Sequence, residues 1–400
     1  MTHRLRDSAR NVFHIVKAQR MSQLSTRIGV AVVIASAALA DAVVGQTTTV
    51  VDASQLSCKG CTLTLTKIAT LGSINDGEFA GTAAISSGLA VDSNGRFFAT
   101  SLAGDKILVY EPSGKYSRSF GRQGGGPGEL NRAMKVVVGR GDSIHVLDQT
   151  RITTFSPTFQ YVRSVNTSGP LWGTPVALAN GDFVVSRPSF GPATAGFVRF
   201  PAKGEAIPFG NRTPEVRKKC AGCDLYETAP SLRVNQFWAI PVDAYEVQEW
   251  GADMRPARRL TIAHSNWFTE WTSNAMGPDV RPNPRLERVF EDARGQLWIE
   301  GHSSIANWTL VPRKQNPSAS KDRGGANIPI GGGAGPNPEA LKRTITIIEV
   351  LDVAGSKLVL SQQYAGRTLR MISPDLIAEL REDADGIPVW DVFKVAIKKP

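Results

Sequence analysis

"VDSNGRFFATSLAGDKILVYEPSGKYSRSFGRQGGGPGEL" occupies residues 91–130 and reads as one unit of structure. The polar turn at 92–95 feeds an alternating strand over Arg96–Thr100. A second strand follows at Lys106–Glu111, and after a Pro-Ser-Gly turn a third at Tyr116–Gly121. With Gly88–Asp92 in front, these make four short strands joined at hairpin spacing. The glycine-rich end, "FGRQGGGPGEL" (120–130), raises the question of a phosphate cradle. It lacks the Lys-Ser/Thr of a P-loop and is not a GxGxxG. No helical pattern follows it to offer a helix N-terminus to a phosphate. Glycine and proline instead suit a chain that leaves an outer strand and re-enters beside the next unit.

Outward from this unit the pattern recurs. A polar turn followed by an alternating strand appears at 139–147 ("GRGDSIHVL"), 179–186 ("ANGDFVVS"), 233–240 ("RVNQFWAI") and 292–300 ("DARGQLWIE"). Four strands per unit at a period of roughly 40–55 residues predict an all-β, six-bladed β-propeller of four-stranded antiparallel blades. The later units cover 134–165, 174–210, 230–262 and 285–364, and the sixth starts near Arg367. That last unit is one strand short. "CTLTLTKIATLG" (61–72) is an alternating strand with no unit of its own, so it is expected to close the ring and remove both sheet edges. Residues 313–339, rich in Gly and Pro, read as a flexible insert between the second and third strands of blade five. Trp267 and Trp271 are spaced for one turn of helix after Ser265, but packing against blade edges explains the pair better.

Ahead of the propeller, Ile28–Ala40 is an uncharged run with the length of a secretory h-region, too short to span a bilayer. Residues 1–45 are expected to be a signal peptide cleaved between Ala40 and Gln46, leaving 46–400 as the propeller in the periplasm or outside the cell. Losing the leader removes a surplus of four positive charges from the chain's +10. Four more of the surplus sit in 313–343, so the body is nearly balanced. A nucleic-acid groove, which needs basic residues lining the fold, is not expected. Nor is a membrane span after cleavage, and the expected state is a monomer.

The chain resembles the exported bacterial six-bladed β-propellers related to NHL-repeat proteins. The likeness rests on 91–130, with its G-x-x-G-x-G-P-G-E-L junction, on the CxxC just before the ring-closing strand, and on the terminal "VWDVFKVAI". It spans roughly 58–400 and departs in the weak turn of blade four and the long insert of blade five. Propellers of this kind include binding modules, lyases and hydrolases, so the resemblance implies a fold and leaves the function open.

In such a ring the connections from the fourth strand of one blade to the first of the next share a face with those from second to third strands. Ligands usually sit there, over the channel. The loops on that face carry Lys106, Arg122, Arg132, Arg151, Arg187, Tyr245 and His302, with Asp105 and Asp148 beside them. Converging guanidinium groups would suit a carboxylate, a sulfate or an acidic sugar. Cys58-x-x-Cys61 and Cys220-x-x-Cys223 fall on opposite faces of the predicted topology, which favours two local disulfides over one four-thiolate zinc site. His145, His264 and His302 are the histidines of the exported part, and only their convergence could hold a catalytic zinc. No cofactor or metal is therefore expected, with zinc the alternative. The leading expectation is a binding module for a peptide, glycan or protein partner in the cell envelope. The alternative is a metal-assisted lyase or hydrolase working over the channel.

Overall fold

The computed structural model describes residues 47–72, 89–101, 104–167, 171, 173–187, 195–211, 226–269, 271, 281–305, 343–383 and 388–400. The expected leader, Cys220, Cys223 and the 313–339 insert lie outside them. The insert's place is nonetheless fixed, since it falls between β20 (Gln296–Ser304) and β21 (Thr344–Asp352), the second and third strands of blade five.

Six sheets of antiparallel blades form in chain order. Blade one comprises β3 (Leu89–Val91), β4 (Phe97–Thr100), β5 (Ile107–Tyr110) and β6 (Tyr116–Phe120). Blade two runs from β7 (Lys135–Val138) through β8 (Ile144–Leu147) and β9 (Arg151–Phe155) to β10 (Tyr161–Asn166). Blade three holds β11 (Val176–Ala177), β12 (Phe183–Ser186), β13 (Ala195–Phe200) and β14 (Ile207–Asn211). Blade four is β15 (Tyr226–Pro230), β16 (Phe237–Pro241), β17 (Glu246–Trp250) and β18 (Pro256–Ala263). Blade five adds β19 (Arg285–Glu291) and β22 (Lys357–Ala365) to β20 and β21. Blade six is β23 (Leu369–Ser373), β24 (Leu376–Glu382), β25 (Pro388–Lys398) and the N-terminal β2 (Thr62–Leu71).

The turns explain why these strands start where they do. Asp92 accepts the backbone N–H groups of Asn94 and Arg96, and Asp292 those of Arg294 and Gln296. Each carboxylate thus mimics a turn's backbone and launches the second strand. Between blades the apolar faces merge into six clusters, each shared by two successive blades. The cluster of Leu71, Leu89, Phe97, Ala378 and Trp390 joins blade six to blade one and closes the ring.

Closure is by β2, paired antiparallel with β25 from Thr62↔Lys398 to Leu71↔Trp390. Gly114, at φ +87 in the last turn of blade one, packs on this strand; a Cβ there would lie 2.3 Å from the Thr70 carbonyl oxygen. The expected ring-closing strand is therefore seated against its neighbour blade as well as paired within its own. Cys58 and Cys61, just ahead of it, form a disulfide.

Two features depart from the sequence reading. First, β1 (Thr47–Asp52) adds a fifth, parallel strand to the outer edge of blade four. Ser57 and Cys58 then hydrogen-bond to Leu358 and Val359 on the edge of blade five before β2 joins blade six. One N-terminal strap thus runs along three consecutive blades, and its own Val51 is fully buried in the cluster of blades four and five. Second, Tyr226–Pro230 is the first strand of blade four rather than part of a loop. Its Glu and Pro hide a strand whose Tyr226, Thr228 and Ala229 are buried. Over 264–269 no helix forms, and Trp267 packs between blades four and five as the packing reading expects. Ser265 Oγ instead accepts the N–H groups of Trp267 and Phe268 in a tight turn.

A charged ring at the channel mouth

The first strands of successive blades neighbour one another around the channel: β3 meets β7 and β23, and β15 meets β11 and β19. Several of them carry a charge inside an apolar run, and those charges meet near the loop face. Glu300, on β20 and fully buried, takes Arg370 Nη1 at 2.6 Å and the Met371 N–H at 2.7 Å. His302 Nε2 lies 3.1 Å from the same carboxylate, and Arg288 Nε 4.0 Å from it. Glu287 lies 3.4 Å from Arg285 and 3.8 Å from Arg370. Further round, Lys135 on β7 donates to Thr174 Oγ1 at 3.1 Å and lies 3.6 Å from Glu227 on β15. Thr174 Oγ1 in turn donates a hydrogen bond to Glu227 Oε2 at 2.9 Å.

The electrostatics follow from this geometry. Burial pushes Glu300 upward, but Arg370, His302 and Arg288 overcome it and hold the carboxyl at about 2. Glu287 is likewise held down by Arg285, Arg370 and His302 against its burial and the charge of Glu300. Lys135 is lowered, first by burial, with Glu227 opposing and Arg288 reinforcing. Arg288 stands on blade five and Lys135 on blade two, so the charges act on one another across the channel.

The residues singled out from sequence divide among several places. His302 is a member of this ring, though it sits within β20 opposite Arg285 and Thr346 and not in a loop. Arg151 and Arg122 both serve the glycine-rich junction. Arg151 is buried and donates to the carbonyls of Gly125 (2.7 Å), Gly124 (3.1 Å) and Glu129 (2.7 Å), with Asp148 beside it. Arg122 pairs with the Glu129 carboxylate at 2.9 Å. That carboxylate also accepts the Gly126 N–H at 2.7 Å, and at Gly124 (φ +152) a Cβ would lie 2.1 Å from it. The loop's amide is thus filled by its own glutamate, and its carbonyls by an arginine.

Arg132 takes a left-handed conformation (φ +57) in the same junction, where its backbone packs on Gly104. Lys106 is half-buried, its N–H donating to Ser101 Oγ, and Arg187 is exposed just after β12. Tyr245 is buried at the junction of blades four and five, beside Trp267 and Phe268.

The three histidines do not converge. His145 lies inside blade two, edge-on to Phe183 and bonded to Thr154, and burial with help from Arg163 lowers it to about 4. His264 pairs with Asp52 at the outer edge of blade four. Among the described residues no cluster of three His, Cys, Asp or Glu side chains has metal-binding geometry. The ring's other members, Lys135, Glu227, Arg285, Glu287, Arg288, Glu300 and Arg370, lie in strands and not in the loops. The signal at Lys135, Arg285, Glu287, Arg288 and Arg370 is a charge in or beside the apolar run of a first strand, as in "MKVVV", "RLERVF" and "RTLRMIS", whereas Glu227 and Glu300 lie outside those runs.

Comparison with known proteins agrees with this architecture. Residues 87–168 match the DUF5128 family, described as a 6-bladed beta-propeller. The chain is a six-bladed β-propeller. A member of the DUF4221 family from Bacteroides vulgatus superposes with a TM-score of 0.59 at 11% identity, covering 84% of this chain and 99% of that one. A Bacteroides fragilis protein described as exported gives 0.52 at 11% identity, over 88% of this propeller's chain and 100% of its own. Virginiamycin B lyase from Staphylococcus aureus reaches only 0.44 at 9% identity, over 84% and 99%, and carries no argument about activity. No curated protein matches the chain. Among the described residues no helix is long and apolar enough to cross a membrane.

Proposed function

We propose that this propeller is an exported binding module that holds a carboxylate-bearing ligand, an acidic peptide or glycan of the cell envelope, at the channel mouth. The observation that carries the reading is the ring itself. Lys135, Arg285, Arg288 and Arg370 converge there with His302, against the three carboxylates Glu227, Glu287 and Glu300. The surplus is cationic, and guanidinium forks suit a carboxylate. Lys135, Arg370 and His302 keep 16–18% of their side-chain surface exposed, and Arg285 keeps 47%.

Binding without chemistry fits the electrostatics better than catalysis. A general acid or base works best with a pKa near the ambient pH. Glu300, at about 2, and Glu287, also lowered, are fixed charges at neutral pH, and the lowered Lys135 is engaged by Thr174 and Glu227. The metal-assisted lyase or hydrolase would need His145, His264 and His302 together, and they sit in three separate places. The leader-like run over 28–40 and the likeness to an exported Bacteroides fragilis propeller support export, to the periplasm or beyond.

Calorimetry with tri-galacturonate, and with an acidic peptide such as tri-glutamate, tests this. At least one should bind saturably, and Arg285→Gln, at a half-exposed position and with its fold checked by circular dichroism, should weaken it by about tenfold. Equal affinity of wild type and Arg285→Gln would refute the site.

A further inference from the structure

A second concavity lies outside the charged ring, on blade four. It is shallow, about 410 Å³ in volume and open to solvent, and its lining includes Asp243, Tyr245, Thr261, His264, Ser265 and Phe268. That size is within the roughly 300–1,000 Å³ of small-ligand sites. Two rings form one wall. Tyr245 and Phe268 have centroids 5.3 Å apart and planes inclined by 38°. Trp267 packs at 5.4 Å from each, and its indole N–H donates to Glu349 at 3.0 Å, so the wall is rigid.

The polar side is built with equal care. His264 sits in the left-handed region at φ +56, a conformation that costs a side-chain-bearing residue energy and persists only where its surroundings impose it. What imposes it is Asp52 of the N-terminal strap, whose Oδ1 lies 3.1 Å from His264 Nδ1. The same oxygen accepts the Ser54 N–H at 3.0 Å and its hydroxyl at 2.7 Å. These two bonds and the one from His264 hold the Asp52 carboxyl below its ordinary value. An ionised Asp52 can only accept, so Nδ1 carries a proton and donates to it, which turns Nε2 away from the strap. The imidazole is 73% exposed at the rim.

We propose that this concavity binds a neutral, polyhydroxylated ring, that is, one unit of an uncharged saccharide. The half-buried Phe268 ring, backed by the buried Tyr245, offers apolar aromatic surface to the C–H bonds of a pyranose. Thr261 and His264 Nε2 are the hydroxyl partners such a ring requires. An apolar ligand would strip water from those groups with no return, and an anion would meet the carboxylates of Asp52 and Asp243. The same carboxylates would draw a cation, but two inclined rings make one wall and not a cage, so choline is the control for that occupant. The site is independent of the carboxylate site at the channel mouth, with which it shares no residue.

The test is calorimetry and saturation-transfer NMR on the full propeller with maltotriose, cellotriose and chitotriose, and with choline as the cationic control. At least one trisaccharide should bind saturably. Phe268→Ala should weaken it by about five- to tenfold, and His264→Asn, which tolerates the left-handed backbone, by about threefold or more. Arg285→Gln should leave it unchanged. The proposal fails if no trisaccharide binds, if choline binds and is lost in Phe268→Ala, or if saccharide binding survives both variants. Saccharide binding lost only in Arg285→Gln would assign it to the channel mouth and also overturn this site.

Discussion

Arg370, on the first strand of blade six, places Nη1 2.6 Å from the fully buried carboxylate of Glu300, on the second strand of blade five. This pair ties two blades together at the channel and sets the charge of the proposed site. Folding depresses Glu300 from an ordinary 4.5 to about 2. A depressed acid contributes stability that is fully present above its unfolded value and lost as pH falls through the folded one. The loss between pH 4.5 and 2 should be about 3 kcal/mol. Glu300→Gln should therefore be destabilised at pH 7 and lose less of its remaining stability on acidification, as read by urea denaturation at both ends of that window.

Glu349 predicts the opposite slope. Its Oε1 accepts from Trp267 and Ser361, while its buried Oε2 has no partner among the described residues. Burial raises it to about 7, against the Ser361 hydrogen bond. Between pH 4.5 and 7 the unfolded chain ionises while the folded one stays protonated, so stability falls as pH rises, by roughly 3 kcal/mol. Glu349→Gln should melt higher than wild type at pH 8 and alike at pH 4. A variant no more stable at pH 8 would mean that the carboxyl ionises freely.

The glycine-rich junction separates two arginines that look equivalent in sequence. Arg151 is buried on three carbonyls and Asp148, whereas Arg122 is 77% exposed on Glu129. Arg151→Met removes the counter-charge of a buried aspartate, which keeps its backbone hydrogen bonds, and strands three carbonyl acceptors, and should cost about 2–4 kcal/mol. Arg122→Ala should cost no more than about 0.5 kcal/mol. Chemical denaturation of the two variants side by side checks the contrast, and similar losses would refute the clamp.

The N-terminal strap makes a graded prediction. Deleting 46–56 removes β1 and exposes the contacts of Val51, whose burial alone is worth about 1.5–3 kcal/mol, but leaves the ring closed. Deleting 46–72 also removes β2 and opens two edges. Thermal melts should fall modestly for the first and collapse for the second. If the longer truncation melted like the full propeller, β2 would not be what closes the ring.

How much of this was legible in the sequence follows from what each interaction needs. The blades were, because polar turns and two-residue alternation are local: the four strands of blade one lie within a residue or so of the boundaries read from 91–130. The closing strand was legible by arithmetic, as a strand lacking a unit beside a unit lacking a strand. β15 was not, since "YETAP" has no apolar run and becomes a strand only against β16. β1 escaped because "TTTVVD" follows the expected leader and its partner lies two hundred residues away. Of the loop candidates, only His302 joined the charged ring. Charges that meet across a channel are brought together by closure, which no local pattern records.

The central claim is that the channel mouth binds a carboxylate ligand and leaves it unchanged. The most direct measurement is calorimetric titration of the mature propeller with tri-galacturonate and tri-glutamate, followed by mass spectrometry of the ligand recovered from the same cell. Saturable heat with at least one ligand, recovered intact, is the predicted result. Ligand cleaved during the titration, or no saturable heat with either, would contradict it.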